Sequence, residues 1–419
     1  MRTTRNCLSL PFAWAVSTSL GSPKPILFSE FTKMKKTLMV AALSGIFATA
    51  AHAQSSVTLY GLIDAGITYT NNQGGHSAWQ ATSGTVNGSR WGLRGAEDLG
   101  GGLKAIFTLE NGFNIDNGAL KQSSRMFGRQ AFVGLASDQY GAVTLGRQYD
   151  SVVDYLAPLS NTGTQYGGTI AAHPFDNDNL NNSVRFNNTI KYSSVNYAGF
   201  KFGATYSFSN STEFANNRAY SFGASYNWAG LNVAAGYLQL NNDINNLQVS
   251  SSSFSGAQTG EWTFAAGRQR TFGGGINYTY GPATAGFVYT QTNLTNTIPG
   301  VGISPGQSGT ADGIGFNANS ARFQNFEGNI RYALTPAISL AGAYTYTRTN
   351  FGGGVNPNYN TVSLQSDYAL SKRTDVYLQG NWQHVSSNSA NIGPYLNGLT
   401  SASATQDQVA VTVGMRHRF

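Results

Sequence analysis

The chain has one cysteine in 419 residues, Cys7, close to its N-terminus. Everything after residue 53 lacks thiols, which excludes disulfides and thiolate metal sites there. Charge is scarce: 11% of residues are Asp, Glu, Lys or Arg, against about 25% in typical soluble domains. Only 11 residues are proline, so extended segments can hydrogen-bond with few interruptions. No stretch after residue 53 reaches the run of about 18 apolar residues that a membrane-crossing helix needs. The chain is therefore either soluble or crosses a membrane with strands.

What is abundant points to strands. There are 50 Gly, 22 Tyr and 24 Phe, a composition for pleated strands joined by tight turns. The formal net charge of +7 is concentrated at the start, where Arg2, Arg5, Lys24, Lys33, Lys35 and Lys36 face one acid, Glu30. Beyond residue 53 there are 20 basic and 18 acidic residues. A nucleic-acid partner needs a concentrated basic face, and this balance argues against one.

The N-terminal region reads as export machinery. Met34-Lys35-Lys36 is a short basic start, Leu38 to Ala51 is an uncharged run of apolar and small residues, and Ala51-His52-Ala53 fits a small-x-small cleavage rule. This predicts a secretory signal peptide over 34–53 and a mature chain from Gln54. Residues 1–33 then precede the signal, and they read as an extension from a translation start placed ahead of Met34.

Alternation runs through the remainder. In 200–208, Phe200, Phe202, Ala204, Tyr206 and Phe208 alternate with Lys201, Gly203, Thr205 and Ser207. In 326–334, Phe326, Gly328, Ile330, Tyr332 and Leu334 alternate with Glu327, Asn329 and Arg331. Period 2 with one apolar and one polar face describes a half-buried strand. Sixteen such segments can be read: 57–70, 85–97, 102–115, 122–137, 140–149, 185–196, 199–210, 217–228, 231–243, 267–280, 283–295, 322–335, 337–350, 357–370, 373–386 and 405–419. Short turns, such as Ala229-Gly230 and Gly281-Pro282, alternate with longer connections, the longest being 150–184. Short turns at one end and long loops at the other are the pattern of a transmembrane antiparallel barrel, and an even strand count returns both termini to one side. The last strand alternates to a terminal aromatic, Phe419. It must close the hydrogen-bond ladder, because lipid offers an open edge no partners.

Several runs are recognisable together: Ser56-Val57-Thr58-Leu59-Tyr60-Gly61, Ser89-Arg90-Trp91-Gly92-Leu93-Arg94-Gly95, Arg129-Gln130-Ala131-Phe132-Val133-Gly134-Leu135, Thr144-Leu145-Gly146-Arg147-Gln148-Tyr149 and the terminal Phe. From about residue 54 to 419 the chain resembles the general diffusion porins of Gram-negative outer membranes. The resemblance implies an all-β fold, a 16-stranded barrel whose third outer loop folds inward, assembled as a homotrimer in outer-membrane lipid. It implies passage of ions and small hydrophilic solutes. It also implies that Phe419 is an assembly signal read by the barrel assembly machinery. By the family's pattern Arg90, Arg94, Arg129, Arg147 and Arg185 line the constriction wall, facing a third loop that here carries Asp150, Asp154, Asp176 and Asp178. Strand parity gives Arg90, Arg94, Arg129 and Arg185 a polar face, with Arg129 opposite Phe132 and Arg185 opposite Phe186; it does not place Arg147.

Enzymatic constellations are missing. His76, His173, His384 and His417 have no metal-binding spacing, no nucleophile elbow occurs, and the Gly runs at 100–102 and 352–354 precede no helix. The expectation is a passive channel without catalysis, cofactor or metal. Two other readings stay open: a substrate-specific channel, and a surface adhesin or receptor whose loops carry the function.

Overall fold

Side chains sort by parity into an inner and an outer face. On the strand Ile338–Asn350, Ala341, Ala343, Thr345, Thr347 and Thr349 turn inward and are buried, while Leu340 and Tyr344 stand 41% and 48% exposed on the other face. The computed structural model describes residues 56–243, 256–261, 263–298, 316, 318–387 and 392–419, which belong to one compact unit spanning 55–419. The proposed signal segment and residues 1–33 lie outside the described residues.

The first half of the wall comprises β1 (Ser56–Gln73), β2 (His76–Ser83), β3 (Arg90–Gly100), β4 (Leu103–Gly112), β5 (Gln130–Ser137), β6 (Gly141–Gln148), β7 (Phe186–Ser193) and β8 (Phe200–Ser207). The second comprises β9 (Arg218–Trp228), β10 (Leu231–Asn241), β11 (Ala266–Tyr280), β12 (Ala283–Thr297), β13 (Ser320–Ala333), β14 (Ile338–Asn350), β15 (Asn358–Ala369), β16 (Thr374–Ser386) and β17 (Asp407–Arg418). Apart from β2, which pairs with β1 alone, each pairs antiparallel with the strands on both sides, and β17 closes on β1 from Leu62↔Arg418 to Thr70↔Ala410. The other edge of β1 is shared. Its first half pairs with β3 and its second with β2, so β2 and β3 occupy one place in the wall. The result is a closed barrel of 16 strand positions, the form in which a sheet satisfies its backbone within lipid.

Two boundaries differ from the sequence expectation. The loop expected over 71–84 is a tight turn at Gly74-Gly75, both with positive φ (61° and 98°), and the second strand is broken over 84–89. Asp64 causes the break. Its carboxylate accepts the N–H groups of Val86 (3.1 Å) and Asn87 (2.7 Å), which are thereby lost to the ladder. The strand expected from 122 begins at Gln130, because Gln122, Ser123 and Ser124 hold left-handed φ values of 51°, 59° and 59° and cannot continue a strand.

The third outer loop, between β6 and β7, folds into the lumen. Its Val152, Leu156, Ala157, Leu159, Leu180 and Val184 form a buried cluster with Leu238, Leu240 and Val288 of the wall. Burial of one such side chain contributes about 1.5–3 kcal/mol, which holds an otherwise polar loop inside a wet barrel. The wall is thinned to receive it. A Cβ on Gly203 would lie 2.5 Å from the Tyr155 hydroxyl, and one on Gly223 2.6 Å from the Tyr155 ring. Polar ties complete the seat: Glu327 on β13 accepts the Asn161 N–H at 2.7 Å, and Gln379 on β16 donates to the Gly167 carbonyl at 2.6 Å.

Candidate pore constriction

Between the seated loop and the wall of β3–β7 lies a cavity of about 880 Å³. The wall side presents Arg90, Lys121, Arg129, Tyr149 and Arg185, and Glu261 is the single carboxylate that borders it. The loop side presents Thr162, Gly163, Thr164, Asn181, Asn182 and Ser183. A basic wall therefore faces neutral hydroxyl and amide groups.

Arg129 is the most firmly held of the cations. Its Nε donates to Glu110 Oε1 at 2.6 Å and its Nη2 to the Tyr149 hydroxyl at 3.0 Å. Tyr149 and Tyr60 in turn donate to Glu110 at 3.0 and 2.9 Å. The Tyr149 ring carries two guanidinium groups, Arg129 at 5.9 Å and Arg185 at 5.8 Å from its centroid, a geometry that offsets some of their mutual repulsion. Burial, and then the nearby Arg129 charge, lower the Arg185 pKa to about 10, so it remains a cation at neutral pH. Lys121 donates to the Ser83 carbonyl at 3.1 Å; burial, then Arg129, lower its pKa as well.

The residues marked in the sequence divide. Arg90, Arg129 and Arg185 border the cavity; Arg94 and Arg147 do not. Arg94 points into the lumen nearer the short-turn end, 5.3 Å from the Tyr60 ring centroid. Arg147 is locked by the Gly128 carbonyl (2.8 Å), Asn187 (2.7 Å) and Glu261. The pairing of β6 with β7 shifts between Gly146 and Gln148, and Gly146 has φ 139°, which is why alternation cannot place Arg147.

Parity needs correction at two other arginines. In β5 it is Val133 and Leu135 that face outward, 59% and 51% exposed. Ala131 shares their face by alternation, so Phe132 belongs to the lumen side. Arg129 reaches the cavity because it precedes the strand. Phe186, expected on the lipid side opposite Arg185, is 1% exposed within the loop cluster, because Asn188 (φ 54°) interrupts the alternation.

The four loop acids are corrected together, since none borders the cavity. Asp150 accepts the N–H of Val152 (2.7 Å) and the Asn179 amide (2.7 Å). Asp176 accepts the N–H of Asn181 (2.9 Å) and Ser183 (3.1 Å). Burial pushes both carboxyls up to about 6. Asp154 pairs with Lys191. Asp178 pairs with His173 at 2.6 Å, and the other ring nitrogen of His173 meets Glu327 at 3.0 Å. These acids fold the loop and tie it to the wall. A short acidic side chain in a loop is drawn to backbone N–H groups in its own turn, and no periodicity reveals that.

Sequence reading missed Lys121, Tyr149, Glu261 and Glu110. Glu110 carried a signal, as a carboxylate in step with Thr108 on the inner face of β4, and Tyr149 closes the run 144–149 that carries the porin resemblance. No group of His, Cys, Asp and Glu among the described residues could hold a metal ion.

The sequence model of the Gram-negative porin family matches residues 37–388. The chain belongs to that family. An outer membrane porin protein of Bordetella pertussis is 34% identical, over 92% of this chain and 100% of the relative. Outer membrane porin protein 32 of Delftia acidovorans is 29% identical over the same shares. Among solved structures, the anion-selective porin from Comamonas acidovorans superposes with a TM-score of 0.65 at 23% identity, covering 87% of this chain and 100% of that one. This porin is thus an outer-membrane β-barrel of a Gram-negative bacterium and a passive diffusion channel.

Proposed function

We propose that this porin favours anions, and that Arg90, Lys121, Arg129 and Arg185 set the preference. The observation that carries the reading is the charge bordering the cavity, four cations against one carboxylate. Across from them the loop offers hydroxyls and amides, which solvate an ion of either sign, while its carboxylates are bonded within the loop and to the wall. A fixed charge is felt over about 10 Å at 0.1 M salt, a distance comparable with a narrow pore. Small anions and anionic solutes are concentrated at the wall, apolar solutes are hindered, and no catalytic step or energy input is involved.

The working unit in this proposal is a homotrimer, inserted by the barrel assembly machinery after cleavage behind Ala53. The family membership and the closing strand support it. The test is the sign of the reversal potential of refolded protein in a planar bilayer across a KCl gradient. Anion preference is expected, and cation preference would refute the proposed role of the basic wall. The substrate-specific alternative would instead show saturable block of conductance by one solute.

A further inference from the structure

The outer face of the barrel carries a second group of arginines that the pore does not use. Arg218, Arg268, Arg270, Arg322 and Arg348 all lie at the long-loop ends of β9, β11, β13 and β14. Their neighbours in sequence turn inward: Ala219, Gln269, Thr271, Ala321, Phe323, Thr347 and Thr349 are at most 5% exposed. The arginines themselves are in step with outward-facing Phe222, Ile276, Phe326 and Tyr344, which are 38–55% exposed. Register joins them across the sheet through amide side chains: Arg218↔Asn241↔Arg268, Arg270↔Asn293↔Arg322 and Gln324↔Arg348. With strands about 4.8 Å apart, the result is a band of positive charge along one side of the rim.

This band is not tied up in ion pairs among the described residues. None of their ion pairs involves any of the five. The Nε atoms of Arg218 and Arg270 are buried without a hydrogen-bond partner. Directly below comes an interfacial layer. Tyr237 donates to Gln239 at 2.7 Å and Tyr289 to Gln291 at 2.9 Å, so the tyrosine hydroxyls point up toward the arginines. Tyrosine at this position marks the boundary between acyl chains and headgroups. The arginines therefore stand at headgroup height, where charge on the lipid side costs about 0–1 kcal/mol.

An apolar groove of about 550 Å³ ends at Arg218. Ile190, Tyr192, Tyr206, Tyr220 and Phe222 flank it, and the register Tyr192↔Ala204↔Phe222 puts the small Ala204 at its floor. An acyl chain fits such a groove, and its headgroup would meet the guanidinium at the top. Guanidinium forks match phosphate oxygens two at a time.

We propose that this face binds a phosphate-bearing lipid of the outer leaflet, with one acyl chain in the Ala204 groove and its phosphate on Arg218 and the adjoining arginine band. The test uses refolded protein in phosphatidylcholine vesicles carrying a trace of spin-labelled phosphatidic acid, with spin-labelled phosphatidylcholine as the reference. Phosphatidic acid should be immobilised at the protein about fivefold more strongly at low salt, and the preference should fall toward unity in high KCl. Changing all five arginines to Gln should abolish it while single-channel conductance, which reports a folded barrel, is retained. If that variant does not fold, the pair Arg322→Gln and Arg348→Gln, both exposed, should still lower it. Equal immobilisation of both lipids by the unmodified protein would overturn the proposal. So would a preference untouched in the variants, or one competed away by millimolar inorganic phosphate, which would make this a site for free anions.

Discussion

Arg129 and Glu110 are joined by a 2.6 Å ion pair, with Tyr60 and Tyr149 donating to the same carboxylate. Glu110 therefore both orients Arg129 and cancels part of its charge. Replacing Glu110 by Gln keeps an oxygen acceptor and removes one negative charge from behind the basic wall. The anion-to-cation permeability ratio should rise, by a factor of about two at low salt, and the rise should shrink as the Debye length falls from about 10 Å at 0.1 M toward 3 Å at 1 M. Reversal potentials at two KCl levels check this; a change toward cations would contradict it.

His173 makes the third loop's attachment dependent on pH. Burial alone would lower its pKa, but pairing with Asp178 and Glu327 outweighs burial and raises it from 6.5 to about 10. The folded value lies above the unfolded one, so this stabilisation is complete below pH 6.5 and is lost as pH climbs through about 10. Asp178 is depressed: burial raises it, and the His173 charge more than reverses that. Its contribution is present above its ordinary 3.8 and fails as pH falls below that. The loop should be tied most firmly across the neutral range. His173→Gln leaves two buried carboxylates without their cation, at a cost of about 3–5 kcal/mol. Current noise in single-channel records should rise in the variant at pH 7, and in the unmodified protein above about pH 10. Quiet channels in both cases would contradict the tie.

Closure of the barrel depends on a contact between its two ends. Gly61 and Phe419 exchange backbone hydrogen bonds of 3.0 and 3.1 Å, and a Cβ on Gly61 would meet the Phe419 ring at 2.3 Å. Deleting Phe419 should lower the yield of folded oligomer on unheated gels severalfold. Gly61→Val should do the same by displacing the ring. Undiminished yield from both would remove the terminal aromatic from the assembly account.

The small-x-small sequence Ala51-His52-Ala53 sets the expected N-terminus of the exported protein. N-terminal sequencing of protein from the outer membrane should begin at Gln54. A chain beginning at Met1 would refute both the signal peptide and the reading of Met34 as the start.

The wall was legible in the sequence because strands have a period. Phe326–Leu334 and Phe200–Phe208 show their outer faces directly, and one face buried against the loop fixes the register. Legibility stopped where the period stopped. A bulge at Gly146 hid Arg147, and a break held open by Asp64 split the second strand. The constriction was less legible still. Lys121 and Glu261 enter it from separate loops, and Asp150 and Asp176 turn back onto their own backbone. Composition could place arginines near the pore, but it could not show that the acids opposite were occupied in folding.

Selectivity set by the basic wall is tested most directly by comparing two equal changes of charge. Arg129→Glu alters a residue that borders the cavity, whereas Arg218→Glu alters one on the outer face. Each shifts local charge by two units, and two unit charges at 4 Å interact by about 1 kcal/mol in water, more where water is confined. Reversal potential across a KCl gradient, measured at low and high salt, should move toward cations by a factor of about three to ten in permeability ratio for Arg129→Glu. It should stay near that of the unmodified channel for Arg218→Glu. No movement in the first variant, or a larger one in the second, would contradict the account.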